Sequence, residues 1–378
     1  MTEDTFAPGL ENVVAGETRL SHVDGEAGDL VIGGFPVEEL AANATYEETL
    51  FLLWNDRLPT PDELDALRAD LASRRALTDE TRAVVRAAAE EGADAMDALR
   101  MGAAAASLGR SDDDPEAAAR TAVARFPTVV ATYWRAREGA VPVAPDPDLG
   151  HAENYLYMLT GEVPDADATR GLETYLNTVV DHGLNASTFT ARTIASTRSD
   201  VISAVTGAVG ALKGPLHGGA PGPVLDMLLD IEASGDPEAA VRARLDAGER
   251  IMGFGHRVYR VRDPRAAVLS AAAERFYDGD GADSAFFSLA TEVEEAAQAV
   301  LAEHKPDRSL ATNVEFYTAL LLYGIGVPRD LFAATFGVAR VGGWTAHSLE
   351  QLDADRLIRP RGRYVGERGR TWTPLDAR

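Results

Sequence analysis

The sequence of 378 residues has no cysteine, two lysines and no long apolar run. Without cysteine, disulfide bonds, thiolate metal sites and cysteine nucleophiles are excluded. No segment approaches the roughly 20 apolar residues of a membrane-spanning helix, and the acidic start MTEDTFAPGL lacks the basic and apolar parts of a signal peptide. We therefore expect a cytoplasmic protein with no membrane partner.

Positive charge is also scarce. The chain has 60 Asp and Glu residues against 36 Lys and Arg residues, which gives a formal net charge of -24. Such a surface repels nucleic acid and anionic lipid, so we expect neither as a partner. Because the Debye length falls to about 3 Å near 1 M salt, this charge favours a halophilic protein. The alternative is an ordinary acidic protein from a GC-rich genome.

The pattern of apolar residues is mostly helical. The one strand signal lies in residues 10–35, where short apolar runs alternate with Gly- and Asp-containing turns, which predicts a small hairpin or meander. A helix begins near TPDE, where Leu64, Leu67 and Leu71 form one stripe. The other predicted helices are alanine-rich segments at 81–109, 115–138, 166–182, 187–212, 236–247, 264–277, 284–304, 313–324 and 328–350. The sequence therefore predicts a mostly α protein.

The chain length and the positions of its Pro and Gly clusters indicate two domains. With 46% hydrophobic residues, 378 residues can bury a large core, and a chain of this size usually divides. Clustered Pro and Gly predict breaks at 139–150 and 214–223, and residues 277–284 read as a surface loop.

Three of the seven histidines lie in glycine-containing segments where the backbone is tightly constrained: His182, His217 and His256. Glycine lets the main chain approach a ligand closely and leaves the neighbouring ring accessible. Each histidine alone is typical of a structural turn, whereas the three together indicate a site that carries chemistry.

Other kinds of site lack their motifs. There is no HExxH or Cys/His pair for metal, and nearby arginines disfavour a cation. The segment GFGHRV does not match GxGxxG, and no GxxxxGK[ST] or GxSxG motif occurs. We therefore expect no metal, no phosphate-binding loop and no serine triad.

The stretch GERIMGFGHRVYRVRDPR, residues 248–265, follows His256 with four arginines: Arg257, Arg260, Arg262 and Arg265. Surface solvation is one explanation of such a cluster. However, Arg265 comes directly after Asp263-Pro264, in the first turn of a predicted helix, where the amide dipoles attract anions. Because Arg holds carboxylates with two parallel hydrogen bonds, the cluster predicts a small polycarboxylate ligand.

Several long segments resemble one family, the citrate synthases with their relatives the 2-methylcitrate synthases. They are LLWNDRLPT, FPTVVATYWR, DHGLNASTFTAR, ALKGPLHGGA, MGFGHRVYRVRDPRA, TNVEFYT, GVARVGGWTAHSLEQ and RLIRPRGRYVG. The resemblance implies an all-α, citrate synthase-like two-domain helical fold with a short N-terminal β-hairpin. It also implies a homodimer that joins acetyl-CoA to oxaloacetate and hydrolyses citryl-CoA without metal or cofactor.

The resemblance further implies a domain division. Residues 1–215 would form the first part of a large helical domain, residues 216–320 a small domain, and residues 321–378 the C-terminal part of the large domain.

Residue by residue, the resemblance implies a catalytic set. His217 would donate a hydrogen bond to the thioester carbonyl, Glu315 would take the methyl proton, and His256 would polarise the keto oxygen of oxaloacetate. The residues implied to hold oxaloacetate are His182, Arg265, Arg340 and Arg359, the last supplied by the partner subunit. Further candidates, for the phosphates of CoA, are Arg257, Arg260, Arg262 and Lys305.

The resemblance is incomplete around the proposed base. Glu315 stands where the family motif NVDFYS has aspartate, and one methylene moves a carboxylate by about 1 Å, which can cost on the order of a hundredfold in rate. Further departures are Gly33-Gly34, Gly183, Pro221 and Thr312. Three hypotheses remain open: a citrate synthase, a 2-methylcitrate synthase that uses propionyl-CoA, and a catalytically silent relative that binds CoA or a dicarboxylate.

Overall fold

The computed structural model describes residues 6–109, 114–218, 221–255, 259, 261–278, 284–305 and 310–378. Near the N-terminus, strands β1 (Ser21–Asp24), β2 (Asp29–Ile32) and β3 (Phe35–Pro36) form an antiparallel sheet in chain order. Ser21 pairs with Ile32 in its register. The predicted hairpin is therefore present and is extended by a third, two-residue strand.

Helices make up most of the remaining structure. In chain order they are α1 (Val37–Asn43), α2 (Tyr46–Asn55), α3 (Pro61–Arg74), α4 (Asp79–Glu90), α5 (Ala95–Ala105), α6 (Pro115–Arg137), α7 (His151–Thr160), α8 (Ala166–Val179), α9 (Ala186–Ala195), α10 (Val201–Leu212), α11 (Pro221–Ser234), α12 (Pro237–Asp246), α13 (Pro264–Tyr277), α14 (Ser284–His304), α15 (Val314–Gly324) and α16 (Phe332–Ala354). Short 3-10 helices span Pro8–Leu10, Arg329–Leu331 and Leu375–Ala377. The prediction of a mostly helical protein is confirmed.

Side-chain caps explain where many of these helices begin. Thr45 and Thr60 each form a capping box with the glutamate three residues later, and Asp94 and Asp200 accept hydrogen bonds from backbone N–H groups of α5 and α10. A cap of this kind stabilises a helix by about 1 kcal/mol.

The same caps correct two predictions. The composition of segments 81–109 and 187–212 predicts one helix in each, but they form α4 with α5 and α9 with α10. Gly92 takes a left-handed conformation between the first pair, and a new cap then starts the second helix of each pair. The sequence prediction also omitted α1, α2 and α7, and α11 begins inside the predicted break 214–223. Of the predicted loop 277–284, residues 279–283 lie outside the described part of the chain.

Helix α16 lies at the centre of the larger helix group. It packs against α2, α5, α6, α8, α9 and α10. Its buried side chains include Trp344, Arg340 and His347, so this helix carries polar groups into the interior of the protein.

A second group of helices follows in the chain. Helix α11 packs against α12, α14 and α15, while α13 packs against α15 and also reaches α8 and α1 of the first group. Helices α13, α15 and α16, which carry the predicted site residues Arg265, Glu315 and Arg340, come together beside the end of α8. Among the described helices, none has the length and hydropathy needed to cross a membrane.

Candidate active site

Two buried arginines form the centre of the site. Arg265, in the first turn of α13, is 4% exposed, and its guanidinium donates to both carboxylate oxygens of Asp263 at 3.1 and 2.8 Å. Arg340, in the middle of α16, is 1% exposed and donates from Nε to the Val179 carbonyl at 2.7 Å. Burial, together with the like charge of Arg265, lowers the pKa of Arg340 to about 10. Two buried positive charges disfavour each other, so binding of an anion beside them stabilises both.

Glu315 lies close enough to Arg265 and Arg340 for their charges to affect its pKa. It occupies the first turn of α15, where its N–H donates to the capping Asn313 side chain at 3.0 Å. Burial raises the pKa of Glu315 to about 7, an effect that Arg265 and Arg340 oppose and Asp263 reinforces. A carboxyl group that titrates near neutrality is suited to accept a proton from carbon.

His217 is held by the start of α9. Its Nε2 lies 2.8 Å from Ser187 Oγ and accepts from the Ser187 backbone N–H at 3.3 Å. Trp344 of α16 donates to the same serine oxygen at 3.0 Å. Burial lowers the pKa of His217 to about 4, with a smaller lowering from Arg340. The ring is therefore neutral at pH 7, and because Nε2 accepts from a backbone N–H, its proton is assigned to Nδ1.

His182 joins this group through a tyrosine. Its Nε2 lies 3.1 Å from the hydroxyl of Tyr259. The Arg265 guanidinium lies over the Tyr259 ring, 5.9 Å from its centroid. The aromatic ring thus connects the loop after α8 with the start of α13.

His256 lies outside the described residues, but the segment that leads to it is described. Gly253 and Gly255 adopt φ values of +86° and +78°, and a Cβ on Gly253 would lie 2.9 Å from the ring of Phe316. The Asn313 N–H donates to the Gly253 carbonyl at 2.9 Å, and its side-chain amide donates to the Gly255 carbonyl at 2.8 Å. The backbone before His256 is therefore fixed against the cap that positions Glu315.

The remaining predicted residues that the structure describes, Arg262, Lys305 and Arg359, lie outside this cluster. Arg262 is exposed, lies 3.6 Å from Glu294 and lines a cleft of about 380 Å³ between α14 and residues 310–312. Lys305 and Arg359 are exposed, the latter on the segment after α16. Arg257 and Arg260 lie outside the described residues.

The sequence did not single out Ser187, Tyr259 or Asp263. Ser187 contributes a backbone N–H, which no residue type reveals. The position of Asp263 could have been predicted, because an Asp-Pro pair at the start of a helix is typical of an N-cap. The carboxylate of such a cap stays near the first turn of the helix.

Comparisons with known proteins point to one family. The family model described as citrate synthase, C-terminal domain, matches residues 9–361. The citrate synthase of Haloferax volcanii is 45% identical, with 98% of each chain covered. The 2-methylcitrate synthase of Mycobacterium tuberculosis is 39% identical over 96% of this chain and 91% of that protein.

A solved structure extends the likeness to the fold. The citrate synthase of Thermoplasma acidophilum, in a ternary complex with carboxymethyl coenzyme A and oxaloacetate, superimposes with a TM-score of 0.87 at 30% identity. The match covers 99% of this chain and 100% of that chain. The motifs, the all-α fold and these end-to-end matches together show that the chain belongs to the citrate synthase family.

Proposed function

We propose that the protein condenses acetyl-CoA with oxaloacetate and hydrolyses the resulting citryl-CoA to citrate and CoA. The observation that carries this proposal is the grouping of a carboxyl group of raised pKa, Glu315, with two buried arginines, Arg265 and Arg340. A base beside an anion pocket is what the joining of a weak carbon acid to a dicarboxylate requires. No metal or cofactor takes part in this proposal.

The first step is removal of a methyl proton from acetyl-CoA. A thioester methyl is a very weak acid, so the developing enolate oxygen needs a preorganised hydrogen bond while a carboxylate takes the proton. His217 donates that bond from Nδ1 as a neutral imidazole, and Glu315 takes the proton. The neutral state of His217 is supported by its lowered pKa of about 4.

The second step forms the carbon–carbon bond. The enolate carbon attacks the keto carbon of oxaloacetate, whose oxygen becomes an alkoxide that His256 stabilises and that takes up one proton to give the hydroxyl of citryl-CoA. His182, Arg265 and Arg340 hold the carboxylates, and the arginines offset negative charge that would repel the enolate. Water then cleaves the thioester of citryl-CoA to release citrate and CoA.

We also propose that domain closure precedes condensation. In the proposed division, residues 1–215 and 321–378 form the large domain and residues 216–320 form the small domain. The glycines within residues 214–222 would act as the hinge. The packing of α11 against α12, α14 and α15 supports a separate small domain. Closure on oxaloacetate first would prevent wasteful hydrolysis of acetyl-CoA.

A homodimer completes the proposed site, with Arg359 reaching the partner's pocket. The segment after α16 exposes large apolar side chains, since Val365, Trp372 and Leu375 are 89%, 81% and 80% exposed. Apolar side chains exposed together are typical of a protein–protein contact. We assign binding of the CoA phosphates to Arg257, Arg260, Arg262 and Lys305. The cytoplasmic location of the protein stays a prediction.

The function is tested by following thiol release from acetyl-CoA and from propionyl-CoA with oxaloacetate in concentrated KCl. We expect kcat/KM to favour acetyl-CoA. A preference of tenfold or more for propionyl-CoA would instead assign 2-methylcitrate synthase activity, a difference that one methylene in an apolar pocket can produce at about 1 to 3 kcal/mol. Oxaloacetate binding without any turnover would favour the catalytically silent alternative.

The pH dependence of turnover is expected to report Glu315. Because the carboxylate is the reactive form and its pKa is about 7, kcat/KM for acetyl-CoA should rise about tenfold per pH unit below about pH 7 and level off above it. His217 should add no second step above about pH 5, since its pKa is about 4. Initial rates with saturating oxaloacetate from about pH 5 to about pH 9 check this. A flat profile, or one that falls above pH 7, contradicts the assignment.

We propose that the protein is halophilic, which makes its stability depend on salt. With a net charge of -24, repulsion between surface carboxylates should be screened as ionic strength rises. The thermal unfolding midpoint is expected to rise by about 10 °C or more between about 0.1 M and about 2 M KCl. NaCl serves as the control, because simple screening predicts the same rise in both salts. A midpoint that stays constant across the range contradicts halophilic character.

A further inference from the structure

One serine hydroxyl contacts both residues that flank His182. Ser21 lies on β1, far from the site in sequence, and its Oγ donates a short hydrogen bond to Asp181 Oδ2. The same oxygen accepts the N–H of Gly183 at 2.9 Å. The turn that carries His182 is therefore attached on both sides to a single atom of the N-terminal sheet.

Asp181 connects this turn to the helix that carries Arg340. The side chain is fully buried, and its Oδ2 also lies 3.1 Å from Nε2 of His347, which is buried as well. Arg340 and His347 lie on the same side of α16, seven residues apart. Asp181 thus fixes the loop after α8 relative to the helix that carries the second arginine of the pocket.

The direction of the hydrogen bond between His347 and Asp181 follows from the other contact of the His347 ring. Its Nδ1 lies 3.0 Å from Nη1 of Arg192, and a guanidinium can only donate. Nδ1 therefore accepts, so Nε2 carries the proton and donates to Asp181. Glu350 forms an ion pair with Arg192 on the other side of this contact.

The residues that follow α8 pack so closely against α16 that they have little room to move. A Cβ on Gly343 of α16 would lie 3.0 Å from Asp181 Oδ1 and even nearer to the carbonyl oxygen of Val180. Only glycine lets the end of α8 lie so close to α16. Gly183 adopts a left-handed φ of +59°, so the turn depends on an outside hydrogen bond to its N–H for one defined orientation.

We propose that Ser21 is a positioning residue for oxaloacetate binding, which acts through Asp181 and the Gly183 N–H to hold His182 in register with Arg340. This inference rests on the proposed function, since it names oxaloacetate as the ligand. It gives the N-terminal sheet a role in the reaction that its distance in sequence does not suggest.

A matched pair of variants tests it. Thr and Val have nearly the same shape, but only Thr retains the hydroxyl. S21V is expected to raise the oxaloacetate KM about tenfold, whereas S21T should stay within about twofold of the native protein. The KM for acetyl-CoA at saturating oxaloacetate should change less than about twofold in both. S21A, which adds no bulk, should behave like S21V.

The outcomes separate this inference from the proposed function. If the native protein turns over acetyl-CoA but S21A and S21V keep its oxaloacetate KM, the positioning role is wrong and the function stands. If both KM values and kcat worsen together with a lower unfolding midpoint, and S21T behaves the same, Ser21 is merely structural. A native protein that neither binds oxaloacetate nor releases thiol from any short acyl-CoA overturns the proposed function and this inference with it.

Discussion

Replacing Glu315 by glutamine is expected to lower kcat about a thousandfold while the protein stays folded. The amide keeps the size of the side chain but cannot take a proton, and general-base catalysis of this kind contributes roughly 10² to 10⁴ in rate. Because burial already disfavours the charged form of Glu315 and raises its pKa to about 7, loss of its charge should cost little stability. Thiol release with saturating oxaloacetate measures the effect.

The matched variant is Glu315→Asp, which restores the residue expected in the family motif. It keeps a carboxylate but withdraws it by one methylene, so we expect a loss of no more than about a hundredfold. Activity equal to or above that of the native protein would show that the longer side chain is merely tolerated. Unchanged turnover in Glu315→Gln would assign the base to another group.

Replacing His217 by alanine is expected to lower kcat by about 10² to 10³. Removing one preorganised donor to a developing oxyanion typically has this effect. The oxaloacetate Kd should change little, because His217 is assigned to the thioester rather than to the dicarboxylate. Single-turnover thiol release and oxaloacetate titration measure the two quantities separately.

His304→Ala is the control for this experiment. His304 lies at the end of α14, is partly exposed and contacts Asp246 at 3.6 Å. Its removal should leave turnover unchanged. If His217→Ala retained native kcat, another group would have to stabilise the enolate, and the proposed first step would be wrong.

Much of the candidate site could be predicted because its residues lie in long motifs. DHGLNASTFTAR contains His182, and TNVEFYT contains Glu315, and the structure brings both regions to the junction of α8, α13, α15 and α16. Helix limits were harder to predict. The alanine-rich segment 81–109 has helical composition throughout, and only Gly92 with the Asp94 cap divides it.

The sequence alone determined the features of this protein that depend on neighbouring residues or on composition. Apolar spacing, alanine content and capping residues set the helical class, and the excess of carboxylates set the charge, since neither depends on which segments meet. Through the family resemblance, the motifs likewise predict Arg265, Arg340 and Glu315 as site residues.

Only the tertiary structure decided the protonation states and partners of those residues. Burial raises the pKa of Glu315 and lowers those of His217 and Arg340, because the protein replaces the water around each charge. The contact of Ser21 with the turn around His182 joins two segments that no local pattern relates, so it arises only when the sheet packs beside α8 and α16.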